Sequence, residues 1–362
     1  MQPVILKNKH YDAPSVFTAA NLLREARRQK QVPEVRIPPI CILDPDGDIA
    51  HHLIATGQAV RLHGWACYHT KLYAFTRDGI EYGIVPHVVG ASFAVLVAEE
   101  LYASGCQLLI SMTSAGQIVS LGQPPYFVLI ERALRDEGTS YHYLPPSDYS
   151  ILQTDLLLAL CGAFDNADVD VRCGSTWTTD APFRETEEAI TFAASQGILG
   201  VEMEAAALYA LAQAKGFAVV CFAHITNQMA QVDGDFDKGR DWGSHDALGD
   251  QTDSYTMGKG CISVWWKVSD GQVEQALVAA HDDGAQGKHG LRSSTTPAHA
   301  GTTETRLDLL GGALNHATAN RPARFPLLEV VHALAVGGEV AGNALESLLQ
   351  GRCLRRGLRR IL

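Results

Sequence analysis

Two glutamates one residue apart stand where an apolar run gives way to alanines, in "GVEMEAAALYAL" from Gly200 to Leu211. A helix N-terminus welcomes negative charge, because its first backbone N–H groups lack helical partners and the dipole is positive there. That is a structural reason for Glu202 and Glu204. The functional alternative is that a carboxylate at the end of a buried strand accepts hydrogen bonds from a ligand.

Four other stretches carry residues able to do chemistry. "MTSAGQI" (112–118) ends a strand in small residues, and Ser114 and Gly116 would admit a ligand to the backbone or simply make a turn. It is not a G-x-S-x-G elbow, so Ser114 is not a candidate serine nucleophile. "ILDPDGDI" (42–49) follows the first strand and could face a phosphate, but Asp44, Asp46 and Asp48 would repel an anion. An acidic turn capping a helix is the favoured reading there. "HITNQMA" (224–230) offers Asn227 and Gln228, whose amides both donate and accept, either to a heterocycle edge or to their own loop. "VDGDFDKG" (232–239) has the look of a calcium loop, yet Lys238 stands where glycine is required and Ser244 where glutamate is expected. His51 and His52 are adjacent on a predicted helix and point apart, and no spacing suits zinc. No metal is expected.

These stretches need a frame. "IPPICILD", "GIEYGIVP", "CQLLISMT", "PYFVLIE", "VDVRCGS" and "AVVCFAHIT" are continuous apolar runs that read as strands buried on both faces. Between them, "GASFAVLVAEELYASG" (starting at Ser92), "TDLLLALCGAFDNA", "ETEEAITFAASQG" and "MEAAALYALAQAKG" read as helices, the last capped at Gly216. The alternation predicts an α/β fold with a mixed central sheet flanked by helices in one main domain. Residues 59–85 read as antiparallel strands turning at Asp78–Gly79.

Composition narrows the function classes. Hydrophobic residues make up 46% and charged residues 19% of the 362, a globular balance. The net charge of −11 argues against a nucleic-acid partner, which needs clustered Lys and Arg. No apolar run is long enough for a membrane span, and "MQPVILKNKHYDAPSVF" has no signal-peptide core. Eight cysteines without a C-x-x-C pair are expected as free thiols in a reducing cytoplasm.

In order, "GAS…VAEELYASG", "TSAGQI", "RDEGTSYHYLPP", "TTDAPFRET", "VEMEAAALYAL" and "VVCFAHITNQ" resemble the nucleoside phosphorylase family, over roughly residues 36–248. The E-M-E-x-A run at 202–206 and the R-D-x-G-x-S run at 135–140 are the most specific parts, and the uridine phosphorylase branch is the most similar. The resemblance implies cleavage of a nucleoside's N-glycosidic bond through a transition state with oxocarbenium character. Glu204 would clamp the ribose hydroxyls and favour the growing positive charge. Met203 would pack on the ribose and Glu202 would support the site or the helix start.

The remaining roles follow from the same likeness. His10 would reach the ribose 5′-hydroxyl of a neighbouring copy, which implies a homo-oligomer with sites near the dimer interface. Thr113 and Ser114 would line the ribose and phosphate side, with Gly116 admitting the substrate to the backbone. Phe183 and Arg184 in "TTDAPFRE" would meet the base. Asn227 stands where purine-cleaving relatives carry an acidic aspartate, so a pyrimidine such as uridine is favoured, with Asn227 and Gln228 donating to its exocyclic oxygen. Gly90, Ser92, Ser111 and His69 would fall on the phosphate side.

That side departs from the family. Asp48 stands for the first-loop arginine and Ser111 for a second, while a third would fall near Tyr68–His69, with Lys71 close by. Losing such donors costs about 1.5–3 kcal/mol each. The reaction expected is phosphorolysis to free base and pentose 1-phosphate, with inorganic phosphate as co-substrate and no cofactor. Hydrolysis by water, or binding without catalysis, are the alternatives. The expected organisation is an N-terminal arm (1–35), the α/β domain (36–248) and an atypical extension (249–362) that is disordered or frame-shifted.

Overall fold

Each of the six apolar runs forms a strand, and four extend beyond their apolar cores. They are β1 (Ile40–Asp44), β4 (Ile80–Pro86), β5 (Leu108–Gln117), β6 (Tyr126–Asp136), β8 (Val171–Thr179) and β10 (Ala218–Asn227). Four further strands are β2 (Val60–Arg61), β3 (Tyr73–Arg77), β7 (Tyr149–Ile151) and β9 (Ile198–Glu202). The computed structural model describes residues 2–229 apart from 78, 123, 161–162 and 165–169. Asp78 of the expected turn, the "VDGDFDKG" stretch and all of 249–362 lie outside the described residues.

The sheet is mixed, as the alternation predicts. β1 runs parallel to both β4 and β5, and β5 runs parallel to β10. β10 is antiparallel to β6, β6 is parallel to β8, and β8 is parallel to β9. β9 then returns to β5 through Gly116 and Gln117, so these five strands close into a ring. Closure depends on the length of β5. Its first half pairs with β1 through residues 108–111, and its last two residues pair with β9 instead. "MTSAGQI" does end the strand, at Gln117, but the plain-turn alternative is corrected: Met112 to Gln117 are extended.

The helices are α1 (Ala19–Lys30), α2 (Asp48–Ala55), α3 (Ala91–Ala103), α4 (Thr154–Leu160), α5 (Glu187–Ser195) and α6 (Ala205–Lys215). Helix α1 arises within the expected arm. Thr18 caps it by accepting from the Asn21 N–H at 3.2 Å, and it buries Leu23 and Ala26. Helix α6 is apolar on every side and accordingly central, with Ala205 to Ala212 all buried. Burying Leu208 or Leu211 there contributes about 1.5–3 kcal/mol each. Its Tyr209 hydroxyl donates to the Ile130 carbonyl at 2.6 Å and accepts from the Cys221 N–H at 3.1 Å, tying α6 to β6 and β10. Gly216 ends α6 in the left-handed conformation, φ 70°, as the Lys-Gly pair predicts.

Among the described residues the cysteines are free thiols, and no helix is long and apolar enough to cross a membrane.

Candidate active site

Parallel strands β1, β5 and β10 deliver their C-terminal ends to one region, as open α/β sheets do at their ligand crevices. The β1–α2 loop, Thr113 and Ser114 of β5, the β9–α6 junction and the start of α3 converge there.

The two glutamates have opposite duties. Glu202 accepts from the hydroxyls of Thr176 and Thr178 with one oxygen, and from the N–H groups of Glu204 and Ala205, at 2.8 and 2.7 Å, with the other. It caps α6, the helix-start alternative, and its oxygens are spent on protein donors rather than offered to a substrate. Helix α6 accordingly starts at Ala205, two residues after Met203. Met203 is half-buried beside the junction.

Glu204 is 1% exposed. Its Oε1 accepts from the Gly90 N–H at 2.7 Å, while Oε2 is buried without a hydrogen-bond partner. Thr113 lies close by, but gives its own hydroxyl proton to the Ser114 carbonyl at 3.2 Å. Burial, and then the Glu202 charge, push the Glu204 carboxyl up to about 8, against the opposing Gly90 N–H. Burial pushes Glu202 up as well, but its bonds from Thr178, Ala205, Glu204 and Thr176 oppose this. With more donors on Glu202, Glu204 is the carboxyl that holds its proton more readily.

Gly90 holds that contact because it adopts φ 90° as the N-cap of α3, where a side chain would be strained. The expected start of this helix at Ser92 moves to Ala91, and Ser92 is exposed in the first turn. His69 is exposed beside the same turn, its ring edge-on to Phe93 with centroids 6.4 Å apart. Ser111 lies in mid-strand with a buried hydroxyl that has no partner.

The acidic loop is a helix cap, as favoured, and something more. Asp44 accepts from the Gly47 N–H at 3.1 Å and the Ala50 N–H at 2.8 Å, fixing the entry to α2. Burial raises its carboxyl to about 8 against those two bonds. Gly47 sits at φ 84° with the His87 ring packed where a Cβ would be, 2.1 Å from that point. Asp46 points the other way: its carboxylate accepts from both the N–H and the hydroxyl of Ser114, at 2.9 and 3.1 Å. Ser114 is thus engaged by the protein itself.

Three expected roles change. A Cβ on Gly116 would lie 2.9 Å from the Met229 side chain and 3.4 Å from Asn227 Oδ1, so this glycine makes room for the β10 loop rather than for a ligand. Asn227 gives one amide hydrogen to Thr226 at 3.0 Å and accepts from the Met229 N–H at 2.8 Å, the loop-holding alternative. Phe183 is 100% exposed on the short Pro182–Arg184 turn, with Arg184 exposed beside it, so neither is assembled with Glu204 here. Gln228 and His10 are exposed as well. The arm carrying His10 reaches the 140–142 turn, where the Lys9 ammonium meets His142 Nδ1 at 2.8 Å.

His224 escaped the sequence reading. It is 4% exposed on β10, its ring stacked on Phe127 with centroids 4.3 Å apart. Burial pushes it down to about 4, opposed by the Asp46 charge. A lone histidine within the otherwise apolar "AVVCFAHIT" was the available signal. Among the described residues no cluster of His, Cys, Asp and Glu could hold a metal.

Residues 39–248 match the phosphorylase superfamily, and the chain belongs to it. It is an enzyme of the pentosyltransferase type, as its relatives are phosphorylases. It is 27% identical over 186 residues to a guanosine phosphorylase of Halorubrum lacusprofundi, covering 48% of this chain and 77% of that one. Against purine nucleoside phosphorylase DeoD-type 1 of Shewanella oneidensis it is 28% identical over 150 residues, 41% of this chain and 64% of the relative. Two solved structures share the fold at a TM-score of 0.50. One is uridine phosphorylase from Vibrio fischeri ES114 complexed with 6-hydroxy-1-naphthoic acid, 17% identical, covering 72% of this chain and 99% of that one. The other is AMP nucleosidase from Bacteroides thetaiotaomicron VPI-5482, 18% identical, covering 70% and 100%.

Proposed function

We propose that this chain cleaves the N-glycosidic bond of a nucleoside, with Glu204 as the ribose clamp. The observation that carries the reading is Glu204 Oε2, a buried carboxyl oxygen without a partner at the strand ends where ligands bind. Leaving it so costs about 1–3 kcal/mol, which a pair of ribose hydroxyls would recover by donating to it. As the C1′–N bond stretches, its electron pair leaves with the base and positive charge grows on the sugar. Ribose hydroxyls donating to the carboxyl favour its ionised form over the protonated form that burial favours in the free site. The ionised Glu204 then lowers the barrier by interacting more strongly with that growing charge than with the neutral ground state.

A base whose leaving charge spreads onto a carbonyl oxygen needs no strong acid, which favours a pyrimidine such as uridine. Guanosine is the second candidate, since it also bears a carbonyl and a relative is named for it. On this reading no metal or organic cofactor takes part, the setting is cytoplasmic, and the enzyme is a homo-oligomer in which His10 serves a neighbouring copy. The test is release of free base from uridine, thymidine, guanosine, inosine and adenosine. Release from at least one, lost in Glu204→Gln, supports the reading; release from none overturns it.

A further inference from the structure

Backbone N–H groups that could hold an anion at this site are already held by carboxylates of the same chain. Gly90 N–H, at the start of α3, donates to Glu204 at 2.7 Å. Ser114 N–H donates to Asp46 at 2.9 Å, and the Ser114 hydroxyl donates to the other oxygen of the same carboxylate at 3.1 Å. Asp46 therefore grips Ser114 as a bound oxyanion would, with two oxygens on two donors.

We propose that Asp46 is a built-in anion that fills the Ser114 donors, excludes inorganic phosphate and leaves water as the acceptor of the pentosyl group. The inference rests on the proposed glycosidic cleavage and departs from the phosphorolysis that the family resemblance implies. Three observations support it. Asp46 is tethered by its own loop, so it competes for Ser114 at a high effective concentration that free phosphate must beat. A phosphate reaching Ser114 would also meet like charge, because it would lie against the Asp46 carboxylate itself, with Asp48 two residues on in the same loop. Finally, buried His224 is neutral near pH 7 and brings no compensating cation, while Asp48 and Ser111 stand where the resemblance puts arginines.

The step balances without phosphate. The C1′–N bond breaks and its electron pair leaves on the base. The oxygen of water bonds C1′ and gives up one proton, while the departing base nitrogen takes one up. Nucleoside and water thus yield pentose and free base.

The experiment compares the full chain with Asp46→Ala and Asp46→Asn, using inorganic phosphate as the probe against potassium chloride of matched ionic strength. Calorimetry and thermal unfolding read binding, and product analysis separates free pentose from pentose 1-phosphate. The wild type is expected to show no phosphate-specific stabilisation and to release base at the same rate with or without phosphate. Asp46→Ala is expected to bind phosphate at least about tenfold more tightly than the wild type, a change of about 1.4 kcal/mol. Asp46→Asn keeps the side-chain shape, removes the charge and should move the same way by less; it decides the matter if the alanine variant fails to fold. Phosphate-dependent formation of pentose 1-phosphate by the wild type would overturn the proposal, as would phosphate affinity unchanged in both variants. If no nucleoside is cleaved but the variants gain phosphate binding, the cleavage reading fails and the exclusion by Asp46 stands.

Discussion

Replacing Glu204 by Gln separates the chemical duty of this residue from its place in the fold. The amide keeps the volume, and its carbonyl can still accept the Gly90 N–H now held at 2.7 Å. What disappears is the ability to ionise beside the sugar. Removing one preorganised electrostatic contact of this kind typically costs ~10²–10³ in kcat, or about 2.7–4 kcal/mol, and base release should fall by that much. Stability should move the other way. The Glu204 carboxyl is raised to about 8 by burial and by Glu202, against an ordinary 4.5. Between those two pH values the folded protein holds a proton that the unfolded chain has lost, so wild-type stability declines as pH rises. The slope approaches about 1.4 kcal/mol per pH unit at most. Gln has no such penalty, so the variant should gain stability relative to wild type on going from pH 5 to pH 8. The assay is a pair of urea titrations at the two pH values beside base-release kinetics. A folded variant with undiminished turnover would remove Glu204 from the chemistry, and a stability difference that does not change with pH would refute the raised carboxyl.

The neighbouring glutamate should behave differently: Glu202→Ala strips the acceptor from two threonine hydroxyls and two N–H groups, and should cost about 1–3 kcal/mol of unfolding free energy for each buried donor left unsatisfied. Unchanged urea stability would show that Glu202 is not the cap of α6. Tyr209→Phe leaves the Ile130 carbonyl and the Cys221 N–H unpaired in the core and should destabilise by about 1–3 kcal/mol by the same titration. His224 is pushed down to about 4. Below about pH 6.5 the unfolded chain therefore takes up a proton that the folded one refuses, and stability is lost as pH falls. His224→Phe, which preserves stacking on Phe127, should flatten this acid limb in thermal unfolding between pH 6.5 and 4.5; an unaltered limb would count against the burial argument.

What the sequence made legible was whatever short-range chemistry decides. The apolar runs gave β1, β4, β5, β6, β8 and β10, and the Lys-Gly pair located the end of α6. The ring of five strands was not legible, because it depends on β5 exchanging β1 for β9 along its length, a long-range pairing that no local pattern encodes. "TSAGQ" misled for a related reason. Small polar residues favour turns in isolation, yet here pairing to β10 and β9 holds them extended. Helix α1 was missed because its charged face hides the two residues it buries, Leu23 and Ala26. The E-M-E motif points to Glu204 as a candidate, whereas Asp46 reads from the sequence only as a charge that would repel anions. That it grips Ser114 across 68 positions of chain is tertiary information.

Four acidic side chains meet around this site, and their chemistry differs by what donates to them rather than by residue type. Glu202 receives four hydrogen bonds and is consumed by structure. Asp44 receives the Gly47 and Ala50 N–H groups and is consumed by the entry to α2. Asp46 receives two from Ser114, a residue at the mouth of the strands, so this engagement closes a ligand position instead of a fold position. Glu204 keeps one buried oxygen without a partner. In a low-dielectric interior that oxygen is the place where a ligand's donors gain most, because elsewhere they would have to displace bonds already made. The same ordering gives both acids of the E-M-E motif a duty: the first fixes the helix start, and the second keeps an unsatisfied oxygen at a defined point at the strand ends.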